Sequence, residues 1–168
     1  FNYKYILDKW QIKNNSNTNI DTCNYILNLW HVPNLHKNIF GISKSLGEGT
    51  MTIEALKYIE RLGISYQYLY KISGRYWLKS NFVLDNIHDN VYKKIGNNSN
   101  NICTALYKID SSMAYKLRNF LESNIGLMEM CIGFEVLMGR FLKTQVVTYV
   151  DIIGIGGFVT VCGSEYNG

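Results

Sequence analysis

Three stretches of this chain group residues that could do chemistry. Lys71-Ile72-Ser73-Gly74-Arg75-Tyr76-Trp77 sets two cations, a hydroxyl and an aromatic pair around one glycine, directly after the strand-like run Tyr66 to Tyr70. In open α/β sheets, ligands bind beyond the carboxyl ends of strands. Arg75 suits a phosphate or carboxylate through its planar fork, and Tyr76 and Trp77 suit stacking on a sugar or base. A tight turn with a surface arginine explains the same residues equally well. The second stretch, Lys44-Ser45-Leu46-Gly47-Glu48-Gly49-Thr50, precedes a helix. Glycines there let backbone N–H groups face a ligand, and a helix N-terminus attracts phosphate. The Walker pattern is absent, and a flexible turn with a helix cap is the simpler reading. The third stretch, Glu129 to Glu135, opens another helix. Glu135 lies between Phe134 and Val136, with Gly133 nearby. A carboxylate in apolar surroundings tends towards a raised pKa or a partner, which would suit a general base. A glutamate on the helix surface is the simpler alternative.

Other candidates fail on spacing. Gly154-Ile155-Gly156-Gly157 is half of a dinucleotide fingerprint, without the third glycine or a following helix. It is expected to be a β-turn between two strands. His31, His36 and His88 are scattered, and no Ser-His-Asp or Cys-His order can be assigned. No Asp-x-Asp occurs, so a carboxylate-held divalent metal lacks its usual sequence support. No metal ligands are assigned. Cys23, Cys103, Cys131 and Cys162 form no CxxC pair and sit among apolar neighbours, which reads as buried free thiols.

Positioning these residues requires a sheet and helices. Ile20–Trp30 carries a helical stripe of Cys23, Ile26, Leu27 and Trp30. A second helix is expected over Gly49–Leu62, ended by Gly63, and a third is capped at Asp110-Ser111-Ser112. A fourth shows Met130, Phe134, Leu137 and Phe141 on one face. Strands are expected at Lys37–Ile42, Tyr66–Ile72, Trp77–Leu78, Val91–Ile95, Ile102–Ile109, Val146–Ile153 and Phe158–Val161. Interleaved strands and helices imply an α/β sandwich, partly parallel, as a single domain over residues 1–168. Asparagine-rich tracts at Asn14–Asn19 and Asn97–Asn101 read as surface loops.

Composition narrows the function classes. Hydrophobic residues make up 47% and charged residues 18%, which excludes a disordered chain. One proline in 168 residues excludes proline-rich linkers and stalks. A net charge of +4 permits a polyanionic partner, but lysines and arginines are spread evenly, so nucleic acid is not expected. No run is long and apolar enough to span a bilayer, and no secretory signal opens the chain; a cytoplasmic location is expected. Phe1 begins mid-pattern, as a chain missing its N-terminal start would.

Taken in order, several segments resemble a group of small glycosyltransferase-like proteins of giant DNA viruses, algae and bacterial polysaccharide clusters. They are Ser45-Leu46-Gly47-Glu48-Gly49, the run Tyr70 to Leu78 containing KISGRYWL, Ile102 to Ile109, Ile132-Gly133-Phe134-Glu135, Ile155-Gly156-Gly157 and Val161-Cys162-Gly163. The resemblance covers roughly Ser43 to Gly168. It implies a GT-A-like α/β domain, a mixed sheet flanked by helices, that transfers a sugar from a nucleotide-sugar donor to a glycan or other hydroxyl acceptor. It places Lys71, Ser73, Gly74, Arg75 and Tyr76 at the donor diphosphate and sugar, with Glu48 and Gly49 near the donor. Glu135 becomes the base that deprotonates the acceptor. Lys71 and Arg75 would offset charge on the departing diphosphate. Such enzymes commonly hold a divalent metal through Asp-x-Asp; without it, either lysine and arginine replace the metal, or another carboxylate holds it, or the chain is inactive. The nucleotide-binding βαβ unit expected before Ser43 is incomplete. Two other classes fit the composition: a structural or assembly protein of a virion or ribosome, and a carbohydrate-binding domain without catalysis.

Overall fold

The computed structural model describes residues 32–63, 65–74, 76–82, 84–96, 100–158 and 165–167. The expected helix Ile20–Trp30, the tract Asn14–Asn19, residues 97–99 of the second tract, Arg75, Cys23, Cys162 and the strand end at Val161 lie outside them.

The centre is strand β4 (Leu106–Asp110), flanked by β1 (Tyr68–Ile72) and β3 (Val91–Lys93), with β5 (Thr148–Val150) beyond β3. β1 and β3 run antiparallel to β4, and only the β3–β5 pair is parallel. The sheet is therefore mixed, and it is less parallel than strands interleaved with helices suggest. The reason is the short route between successive strands: β1, β2 (Tyr76–Leu78) and β3 follow one another without an intervening α-helix.

Alternation along β4 assigns its two faces. Tyr107 and Ile109 enter a core shared with the helices α2 (Lys44–Arg61), α3 (Ser111–Ser123) and α5 (Phe134–Leu142), while Met128 comes from α4 (Ile125–Glu129). Leu106 enters a second core with Leu84, Val91, Ile153 and Ile155. That second layer is a small antiparallel sheet in which β6 (Ile155–Phe158) pairs with both β2 and β7 (Glu165–Asn167). Lys108, on the same face as Leu106, is only 1% exposed. Its ammonium donates to the carbonyls of Leu84 (2.9 Å) and Ile87 (2.7 Å) and lies 4.1 Å from the Tyr68 ring centre. These groups replace the water that the charge gives up.

Helix starts follow their caps. Asp110 Oδ1 accepts from the Met113 N–H at 2.7 Å, so α3 begins at Ser111 as its cap residues predict. α2 begins five residues earlier than expected. Ser43 Oγ accepts from the Leu46 N–H at 3.1 Å and donates to the Met128 carbonyl at 2.5 Å, which fixes the start at Lys44. Gly63, at φ 62°, ends the helix region. Two ion pairs then tie α2 to α3: Lys57 Nζ lies 2.9 Å from Glu122, and Arg118 lies 3.5 Å from Glu60.

Three expectations are corrected. Lys37–Ile42 is not a strand: Leu35–Ile39 forms the short helix α1, which Asn38 ties to Thr50 of α2 by a 3.2 Å hydrogen bond. Gly156 and Gly157 do not turn the chain but lie within β6. A Cβ on Gly156 would stand 2.6 Å from Trp77 Nε1, so glycine there makes room for the indole. The turning glycine is Gly154, at φ 73°. The fourth helix starts at Phe134 rather than near Met130, which is exposed after α4.

Two predictions come from this packing. A Cβ on Gly139 of α5 would lie 1.9 Å from the Asn100 carbonyl oxygen, whereas one on Gly126 meets nothing within 4 Å. Gly139→Ala is expected to cost about 1–3 kcal/mol in urea unfolding, and Gly126→Ala to be neutral or stabilising by up to ~1 kcal/mol. Tyr92 stacks on Tyr107 at 5.4 Å, and no described group hydrogen-bonds its buried hydroxyl. Burial pushes its phenol well above the ordinary value of 10.0. Below pH 10 this phenol is protonated in both states; above it the unfolded chain ionises first, so stability falls. Tyr92→Phe should stabilise the fold by about 1 kcal/mol and reduce the alkaline loss, read from unfolding midpoints between neutral pH and pH of roughly 11.

Candidate functional site

β1 is an edge strand, and its residues alternate like those of β4. Lys71 points to the helical side, across from Tyr107 in register. The ladder then extends one step, as the Ser73 N–H donates to the Ala105 carbonyl at 2.9 Å. The chain turns at once, with the Tyr76 N–H donating to the Ser73 carbonyl at 3.0 Å, and enters the second sheet as β2. Lys71 and Ile72 thus end an edge strand, and Tyr76 and Trp77 start a second layer. Gly74 is exposed in that turn.

The ammonium of Lys71 is held on three sides. It lies 2.7 Å from Glu48 Oε1, 2.8 Å from Ser73 Oγ and 2.5 Å from the Thr104 carbonyl oxygen. It also sits 5.6 Å from the centre of the Tyr107 ring. Three N–H groups meet three acceptors, so a phosphate could reach this nitrogen only by displacing one of them. Burial, reinforced by the Glu48 charge, drives the Tyr107 phenol far above its ordinary value and keeps it protonated.

Two adjoining cavities share Glu48 and Ser73. One, of about 690 Å³, lies between α2 and β1 and includes Lys71 and Gly74 in its wall. The other, of about 370 Å³, is bounded by Tyr76, Lys93, Lys94, Cys103 and Glu135. Of the residues singled out by sequence, Lys71 and Gly74 therefore line the larger cavity, Tyr76 and Glu135 the smaller, and Glu48 and Ser73 both, beyond the carboxyl end of β1.

Gly49 stands apart. A Cβ there would be 2.1 Å from Met128 Sδ, so this glycine lets α4 approach α2. The glycine stretch Gly47-Glu48-Gly49 is not a ligand-facing turn, because it lies inside α2. Its glycines serve close packing, Gly47 against the α1 backbone and Gly49 against Met128. Glu135 is half-buried in the first turn of α5, near the positive end of the helix dipole. Phe134 is buried in the core beside it, whereas Glu135 lines the smaller cavity together with Glu48, Lys93, Lys94, Ile95 and Cys103.

Sequence reasoning missed Lys93, Lys94 and the Thr104 carbonyl. The first two are adjacent lysines at the end of a three-residue strand, a signal only once β3 is placed. Lys94 Nζ lies 4.3 Å from the Tyr149 ring centre. Among the described residues, no three His, Cys, Asp or Glu side chains are grouped to hold a metal ion. No described helix is long and apolar enough to cross a membrane. No protein-family model, curated protein or solved structure matches the chain.

The Glu48–Lys71 pair is partly shielded, with side-chain exposures of 30% and 21%. Lys71→Met is expected to cost about 1–3 kcal/mol, since it strands a half-buried carboxylate. In a double-mutant cycle with Glu48→Gln, urea unfolding should return a favourable coupling of about 1 kcal/mol. Purely additive losses would mean that the two charges do not sense each other.

Proposed function

We propose that the protein is a glycosyltransferase-like enzyme that moves a sugar from a nucleotide-sugar donor to a hydroxyl of a glycan or other acceptor. The observation that carries this reading is convergence. Glu48, Ser73, Tyr76 and Glu135 come from different parts of the chain, yet they border one cleft with Lys93 and Lys94 in its wall. A mixed sheet with a helical layer is also what a GT-A-like domain builds on, although only one strand pair here is parallel.

In this mechanism Glu135 takes the proton of the acceptor hydroxyl as its oxygen attacks the anomeric carbon. The bond from that carbon to the phosphate oxygen breaks, and the diphosphate leaves with the electron pair. Lys93 and Lys94 offset its charge. Lys71 acts indirectly by orienting Glu48, because its own hydrogens are committed. Tyr76 packs beside the sugar. No step is assigned to a divalent metal.

The test is a thermal-shift screen against UDP-, GDP-, dTDP- and CMP-sugars, with and without Mn²⁺, followed by transfer assays with the donor that binds. A donor at about 100 times its dissociation constant should add about 2.7 kcal/mol of stability. Glu135→Gln should keep donor binding and lose transfer by roughly 10²–10⁴-fold. Lys93→Ala/Lys94→Ala should weaken donor binding instead. Binding of glycans without any nucleotide-sugar would favour the carbohydrate-binding domain, and binding of neither would favour an assembly role.

A further inference from the structure

We infer that the larger cavity, between α2 and β1, receives the hydrocarbon chain of an anionic amphiphile, taken from a bilayer surface on which Phe40 and Ile42 dock. The wall and the mouth of this cavity carry the argument separately. Its volume of about 690 Å³ is ligand-sized. Its wall is built largely from Met51, Ala55, Leu56, Ile59 and Leu69. The polar groups among them are spent internally. Glu48 and Lys71 neutralise each other, Ser73 accepts from Lys71, and Thr52 donates to the Glu48 carbonyl at 2.8 Å. A hydroxyl-rich or base-bearing ligand would find few partners on such a wall, whereas a hydrocarbon chain needs none.

The mouth is marked by residues that line the cavity and also face solvent: Ile39, Lys44 and Met51. Between Ile39 and Lys44 the chain carries Phe40, 72% exposed, and Ile42, 97% exposed. Soluble surfaces rarely gather so many exposed apolar side chains at the entrance of an apolar cavity. Charge supplies the choice of partner. Lys37 and Lys44 are both exposed on either side of Phe40 and Ile42, and the one acid within residues 32–52, Glu48, is held by Lys71. An apolar tip ringed by lysines matches the acyl boundary and the anionic headgroups of a bilayer. The same lysines would meet the phosphate of an amphiphile whose chain has entered the cavity. This inference does not depend on glycosyl transfer, because it concerns the apolar cavity and its rim and not the cleft around Glu135.

The full chain should co-sediment with vesicles of phosphatidylcholine containing phosphatidylglycerol. Phe40→Ser/Ile42→Ser, at exposed positions that no core depends on, should weaken that partitioning about tenfold or more. Dodecyl phosphate below its micelle concentration should raise the melting temperature of the wild-type chain. Ala55→Trp, which fills the cavity, should abolish the shift while vesicle binding persists. Should Ala55→Trp fail to fold, Met51→Asp at the exposed rim tests the same cavity. Vesicle binding unchanged in Phe40→Ser/Ile42→Ser, or absent in the wild type, would overturn the docking surface. No shift with dodecyl phosphate, or an equal shift in the filled variant, would overturn the cavity assignment. Neither failure touches nucleotide-sugar binding, which is measured apart.

Discussion

A strand with no exposed face must satisfy every polar group it carries, and β4 is such a strand. Leu106, Tyr107, Lys108 and Ile109 are all buried. Its two faces cannot both be covered by helices, because Lys108 puts a full charge into one of them. The second layer answers that charge with backbone. The Leu84–Asn86 turn and Ile87 bring carbonyl oxygens to the ammonium, and Tyr68 and Tyr70 bring ring faces. Turns present carbonyls at several angles, whereas a helix side presents none, so a turn-rich layer can solvate a lysine where a helix would strand it. One face of the sheet is consequently helical and apolar, and the other is built of turns and short strands.

The cleft is a by-product of that division. β1 lies at the sheet edge and must leave for the second layer after Ser73, so the helical layer is left without a partner beyond it. Lys71 is the last strand residue pointing towards the helices, and Glu48 is the α2 residue opposite. Their ion pair, closed by Ser73 and the Thr104 carbonyl, seals the boundary between an apolar cavity on one side and a polar one on the other.

Much of the candidate site was legible because residues close in sequence stay close in space. Lys71, Ser73, Gly74 and Tyr76 belong to one strand and turn, and a strand followed by a glycine turn marks that place on any sheet. Glu135 was legible as a carboxylate at a helix start. The glycine stretch misled because glycine has two uses. It permits unusual dihedrals, and it permits close approach, and only the neighbour decides which use applies. At Gly47 and Gly49 the neighbours are α1 and Met128, far away in sequence or hidden in a helix that local pattern reads as a strand. Lys37–Ile42 reads as a strand from its β-compatible residues, but the segment forms a short helix that buries Leu35 and ties Asn38 to Thr50 of α2.

By itself the sequence determined the local choices: the Asp110 cap, the helix end at Gly63, the strand character of Tyr68–Ile72 and the mixture of helix and strand that makes an α/β protein. These follow from dihedral preference, capping and periodicity, which act over a few residues. Tertiary structure alone decided which strands pair, which face each lysine meets and why the glycines are there. Lys71 and Lys108 look alike in sequence, each within a β-compatible run. One ends beside Glu48 at a cavity wall and the other among carbonyls in a sealed core, because strand alternation sends them to opposite faces of the sheet and long-range packing decides what waits on each.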